Sequence, residues 1–173
     1  MNNTLKKART HEWWKPKAGF LFALLFYIIW SSGKQFNFPV FLKLLFLSFV
    51  TLTAIGILGH LLNDLGDMES DAKAGKNNSM LALSKTNRFL VIVAVFAVAV
   101  APWYFLPYTS TSIYLLSAEF LLLIIYPLKP LRLKQYPLVA VIADALYAFA
   151  IPAVLAFYTY QLYYELSISF NHL

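Results

Sequence analysis

Five apolar stretches constrain this chain more than any other feature, because several approach the roughly 20 residues a helix needs to cross the hydrocarbon core of a bilayer. They run over residues 18–31, 39–62, 89–106, 110–126 and 137–160. The first and fourth are short for a crossing. Lipid leaves no partner for exposed backbone N–H and C=O groups, so segments of this kind fold as helices. The expected fold is all-α: a polytopic transmembrane helix bundle of about five spans, forming a single domain over 1–173. A soluble alternative fails on composition. The chain is 60% hydrophobic and 13% charged, where a soluble domain carries about 25% charged residues. Cysteine is absent, which excludes disulfides, thiolate metal sites and a cysteine nucleophile. Pro102 and Pro152 lie inside apolar stretches and should kink them.

The basic residues then orient the bundle, since Lys and Arg in short loops accumulate on the cytosolic side. Lys6, Lys7, Arg9, Lys15 and Lys17 precede the first stretch. Lys73, Lys76, Lys85 and Arg88 lie between the second and third, and Lys129, Arg132 and Lys134 between the fourth and fifth. Only Lys34 and Lys43 remain for the other side. This places 1–17 and 63–88 in the cytosol and the short tail 165–173 outside. The expected location is therefore multi-pass in a plasma or inner membrane, with the lipid bilayer as partner. Trp13 and Trp14 suit the inner interface, and Trp30, Trp103, Tyr104 and Tyr108 the outer one. The net charge of +6 is in this way accounted for by topology, and nucleic acid is not expected as a partner. Trp-Ser-Ser-Gly-Lys after the first stretch is a poor signal-peptidase site, so that stretch reads as a retained helix.

One polar cluster is chemically specific. Asn63, Asp64, Asp67 and Asp71 follow the second stretch, with His60 one turn before them. If the helix continues, each residue turns about 100°. With Asn63 at zero, Asp67 falls at about 40°, His60 at about 60°, Asp71 at about 80° and Asp64 at about 100°. These groups share about a quarter of the helix surface, whereas Glu69 points away and should be solvated. Three aspartates on one face repel unless a cation sits among them. Hard oxygen ligands of this kind suit Mg2+, which keeps waters and bridges carboxylates to phosphates. The EF-hand spacing is absent. An ordinary solvated helix end is the plainer reading of the same residues. For Arg132 and Lys134 that plainer reading is topology alone.

The pattern N-D-x-x-D-x-x-x-D at the cytosolic end of a second membrane helix resembles the first signature of the UbiA superfamily of intramembrane prenyltransferases. The loop Tyr126-Pro-Leu-Lys-Pro-Leu-Arg132-Leu-Lys134 resembles the basic loop after the fourth helix in that family. The resemblance covers the first half of the family's nine-helix bundle. It implies a Mg2+-dependent transferase that moves a polyprenyl group from its diphosphate to an aromatic or lipid acceptor. On that reading Asn63, Asp67 and Asp71 hold Mg2+, and Asp64, Asp67, Asp71, Arg132 and Lys134 form the catalytic set. Asn63, Tyr126, Asp144 and Tyr147 are the expected substrate contacts. The polyprenyl diphosphate and a prenyl acceptor are the implied partners.

The family's second aspartate pair, D-x-x-x-D, is not in this sequence: after Asp71 the acids are Glu119, Asp144 and Glu165. Activity of the chain alone is then in question. The chain reads as a fragment, a shortened paralogue, or one half of an assembly completed by a second half-chain or a homo-oligomer. Glu119 and Asp144 fall about 10 Å inside the cytosolic boundary. Acids at that depth either line a cavity or are neutralised by protonation or by a partner such as Tyr147 or His60. Two further functions stay open: a non-catalytic membrane protein that binds Mg2+–isoprenoid diphosphate, and a small transporter using Glu119 and Asp144.

Overall fold

A computed structural model describes residues 37–164, together with Ala23, Phe26, Tyr27, Trp30 and Ser31 of the preceding segment. The expected cytosolic segment 1–17, most of the first apolar stretch and the tail 165–173 lie outside the described residues. Among the described residues there is no strand. Helix α1 spans Phe38–Lys73, α2 Lys85–Val100, α3 Ser110–Ile125, α4 Pro137–Ala145 and α5 Ile151–Tyr164.

Local chemistry sets the boundaries. Asn37 caps α1 by accepting a hydrogen bond from the Val40 N–H at 3.2 Å, and Pro39 occupies its first turn, where the missing N–H costs nothing. The helix stops after Lys73, and Gly75 adopts the left-handed conformation (φ 64°) that glycine tolerates best. Ser84 caps α2 through the Asn87 N–H. At its far end Pro102 cannot donate to the ladder, and α2 tightens into a 3-10 turn over Ala101–Tyr104. Thr109 and Ser112 form a capping box at the start of α3. Pro152 acts similarly between α4 and α5: the two run on as one 28-residue rod, Pro137–Tyr164, through a widened π turn at Leu146–Ala150. Both prolines therefore distort their helices where the sequence places them.

Among the described residues, three helical stretches are long and apolar enough to cross a membrane: Phe38–Lys73, Lys85–Tyr104 and Pro137–Tyr164. They are compatible with an integral membrane protein. The fourth apolar stretch forms α3, which has 16 residues and reaches only about 24 Å, less than the ~30 Å hydrocarbon core. Helix α1 is much longer than a crossing requires. Its 36 residues extend about 54 Å, so the acidic turns after the apolar part continue the same rigid rod.

Two clusters hold the helices together. Leu44, Trp103, Leu106, Leu155, Tyr160 and Tyr164 pack near the start of α1. Ala54, Ile55, Leu58, Leu62, Ala99 and Leu123 pack along its middle. In lipid, close contact between small residues replaces the hydrophobic driving force. Gly59 of α1 shows this: a β-carbon there would lie 3.2 Å from Leu123 Cδ2 of α3. Between α1 and α2, the buried Thr51 hydroxyl donates to the Ala99 carbonyl at 3.2 Å. Tyr27 of the first stretch stacks on Phe157 of α5, with centroids 6.3 Å apart. This up-and-down path brings the end of α1, the start of α2, the end of α3 and the start of α4 to one end of the bundle. At the opposite end, the Tyr164 hydroxyl donates to the Asn37 carbonyl.

Candidate functional site

At the end where those four helix termini meet, the last three turns of α1 are gripped from two sides. The α3–α4 loop covers one side. Gly66 makes this approach possible, because a β-carbon there would run into the Pro127 carbonyl oxygen and lie 3.0 Å from its carbon. The loop folds tightly on itself: Arg132 N–H donates to the Leu128 carbonyl at 2.8 Å and Lys134 N–H to the Tyr126 carbonyl at 3.2 Å. Arg132 has φ 40° and ψ 60°, in the left-handed region, which costs a non-glycine residue about 1–2 kcal/mol. Such strain is concentrated at functional sites.

The strained loop aims both cations at one carboxylate. Arg132 Nη2 donates to Asp67 Oδ1 at 2.7 Å, and Lys134 Nζ to Asp67 Oδ2 at 2.6 Å. Lys134 Nζ also donates to Asn63 Oδ1 at 3.0 Å. Arg132 Nε is buried and has no hydrogen-bond partner among the described residues, so the guanidinium retains an unused donor. Burial alone would raise the Asp67 pKa, but the hydrogen bonds and charges of Lys134 and Arg132 outweigh it and hold the carboxyl below its ordinary value. Asp67 lies beyond the apolar part of α1, among polar neighbours.

The other side of α1 is covered by the α1–α2 loop, which returns along the helix as a strap. Asn78 Nδ2 donates to the Asp64 carbonyl at 2.7 Å and to Asp71 Oδ2 at 2.9 Å, while Asn78 Oδ1 accepts from the Met80 N–H. The backbone N–H and hydroxyl of Ser79 both donate to Asp64 Oδ2, at 2.9 and 2.5 Å. Met80 is fully buried, and Arg88 Nε donates to its carbonyl at 2.8 Å.

The two sides follow the helical arc. Asn63 and Asp67, at the start of the arc, meet the basic loop; Asp71 and Asp64, at its far edge, meet the strap. Of the three expected metal ligands, the structure brings Asn63 and Asp67 together and turns Asp71 toward Asn78. Among the described residues no three acidic or histidine side chains converge as a metal-binding group. Glu69 is solvent-exposed, as its angle requires, and pairs with Lys73 one turn on at 2.8 Å. The substrate-contact candidates form a neighbouring group. The Tyr126 and Tyr147 rings meet edge-on, 5.1 Å apart. Asp144 lies within hydrogen-bonding reach of the Tyr147 hydroxyl, while Tyr126 feels the charges of Asp144 and Asp67. Asp144 lies on an exposed face of α4, whereas Glu119 is fully buried in α3. Asn78, Ser79 and Gly66 were not legible as site residues from sequence: their roles depend on which loop lies against which face.

Among the described residues the protein is thus all-helical, with three helices able to cross a membrane and an ion-paired polar cluster at one end of the bundle. No family model, curated protein or solved structure matches it.

Proposed function

We propose that this chain is the diphosphate-binding part of a UbiA-like intramembrane prenyltransferase, with about five crossings and the Asp67 cluster at the cytosolic face. The observation that supports it most is the convergence of Arg132 and Lys134, from a strained loop, on Asn63 and Asp67 at the end of an apolar bundle. Two cations on one carboxylate leave positive charge and an unused Arg132 donor for an anion, beside apolar helices of the kind a polyprenyl tail favours.

Asn63, Asp67 and Asp71 carry oxygens of the kind magnesium takes, and by the resemblance they are the residues that would hold it, provided Asp67 and Asp71 exchange their present partners, the cations of Arg132 and Lys134 and the amide of Asn78. Bound there, the metal would supply Lewis-acid charge to the diphosphate oxygens. The chain's own residues account for the rest. Arg132 and Lys134 are placed to stabilise the negative charge that develops on a departing diphosphate. Asn63 orients Lys134, and the packed helices exclude water from an allylic cation. Tyr126 at the end of α3, Asp144 on α4 and Tyr147 in the π turn lie beside this cluster, where they would meet the acceptor. A chain that binds the diphosphate without transferring the prenyl group is the second reading, favoured by the single aspartate motif in this sequence.

Calorimetry on the purified chain in detergent, with farnesyl diphosphate and magnesium, tests the proposal. Binding that chelator abolishes and Arg132→Ala weakens by about tenfold or more is expected. Binding indifferent to both changes would refute it. Transfer to a phenolic acceptor by the same preparation separates the first reading from the second.

A further inference from the structure

Away from the acidic turns, a small half-open cleft lies where α1, the 3-10 turn after α2, and α5 meet. Its polar walls are Ser48 and Thr51 of α1, Trp103 of the turn and Thr159 of α5, and the rest of its lining is apolar. The enclosed part has room for about one water-sized group. Thr51 and Asp67 stand about 24 Å apart along α1, so the cleft is separate from the ion-paired cluster. Trp103 is only 8% exposed, and its indole Nε1–H has no hydrogen-bond partner among the described residues. A buried donor in this state has lost its water without replacement, which is unfavourable. The two buried threonines are in the complementary condition. The Thr51 hydroxyl donates to the Ala99 carbonyl at 3.2 Å and the Thr159 hydroxyl to the Leu155 carbonyl at 2.7 Å. Their protons are committed, so each oxygen can only accept from a ligand. One donor and two acceptors, with no charged side chain in the lining, define what the cleft can take. An ion would be buried without a counter-charge. A carbonyl or ether could accept from Trp103 but could not donate to either threonine. A neutral hydroxyl does both.

We infer that this cleft is a binding site for the hydroxyl headgroup of a neutral alcohol carried in the lipid phase. The hydroxyl accepts from Trp103 Nε1 and donates to the oxygen of Thr51 or Thr159, and the Ser48 hydroxyl can serve as donor or acceptor beside it. The alkyl part follows the open side along the apolar lining. Water satisfies the same polar groups, but only an alcohol also covers that lining, which is where its advantage lies. The site is independent of the diphosphate proposal and stands or falls by itself.

The test uses the full chain in detergent, with 1-octanol as the probe and its isomer 1-methoxyheptane, which accepts but cannot donate, as the control. Replacing Trp13, Trp14 and Trp30 by Phe leaves Trp103 as the sole indole, so fluorescence then reports on the cleft. Octanol should change the Trp103 emission saturably and bind about threefold or more tightly than the ether, the worth of one donated hydrogen bond. Adding Thr51→Val and Thr159→Val together, which keeps the side-chain shapes and removes both acceptors, should reduce that preference to less than about twofold. Equal affinity for the two isomers in the cleft with its threonines intact would overturn the inference, and this arm needs no threonine variant to fold. A preference that survives loss of both threonine hydroxyls would overturn it as well. So would an emission that octanol leaves unchanged, which would mean that water serves the indole N–H, or one that drifts without saturating, which would mean partition into the micelle.

Discussion

Asp67 and Gly66 are neighbours with opposite tasks on α1: one supplies the charge that holds the basic loop, the other the space that lets it approach. Gly66→Ala tests the space. Its methyl group would meet the Pro127 carbonyl, part of a backbone that cannot rotate away. Overpacking of this kind costs about 1–3 kcal/mol, so a lower thermal midpoint in detergent is expected, together with weaker farnesyl diphosphate binding. An unchanged midpoint would mean the loop yields easily. The charge has a pH signature. Because the folded-state pKa of Asp67 is depressed, the ion pairs contribute stability that is fully present above the unfolded-state value of about 3.9. That contribution is lost as pH falls through the lower folded-state value. The stability difference between wild type and Asp67→Asn should accordingly be constant near neutrality and shrink in acid. Partial exposure of Asp67 keeps it small. Denaturation curves of the two proteins at a series of pH values would show it.

At the scale of elements, the strap and the basic loop divide one helix face between them. The strap's integrity runs through Asn78, whose amide satisfies the Asp64 carbonyl, the Asp71 carboxylate and the Met80 N–H together. Asn78→Ala leaves these polar groups without partners, at a cost of about 1–3 kcal/mol. Local opening should follow. The amides of Ser79 and Met80 should exchange with deuterium about tenfold or more faster, while the amides of α3 keep their wild-type rates. Exchange rising equally in both regions would show that Asn78 supports the bundle as a whole and not the strap. The π turn between α4 and α5 is the other irregular element. It falls between Asp144 and Pro152 and includes Tyr147, so the widened turn sets the direction of a side chain in the Tyr126 group. Such turns recur at functional sites.

For the molecule as a whole, the decisive property is that both short polar loops emerge at one end. The α1–α2 strap and the α3–α4 loop lie beside the acidic turns, whereas residues 107–109 turn at the other end, near Tyr158, whose hydroxyl lies 3.1 Å from the Thr109 hydroxyl. In a membrane this arrangement, with its Lys and Arg bias, predicts opposite exposure of the two ends. Single cysteines replacing Asn77 and Tyr108 in this cysteine-free chain would report it. A membrane-impermeant reagent applied to intact cells should label position 108 and spare position 77. Labelling in the reverse sense would place the cluster on the wrong side for a cytosolic diphosphate.

Hydropathy was sufficient to predict helices and an apolar bundle, since the period and length of apolar runs depend only on local sequence. The shared face of Asn63, Asp64, Asp67 and Asp71 was legible for the same reason: helical geometry converts spacing into angle. The division of that face was not. That Asp67 pairs with Arg132 and Lys134 while Asp64 and Asp71 bind the strap depends on contacts 65 and 67 residues apart in one case and 15 and 7 apart in the other. No local pattern encodes such separations. Only the antiparallel packing of α1, α2 and α3, made close by Gly59 and Gly66, selects which loop reaches which acid. It turned a row of like charges into a partitioned site, because each carboxylate is stabilised by whatever donor the fold brings within hydrogen-bonding distance.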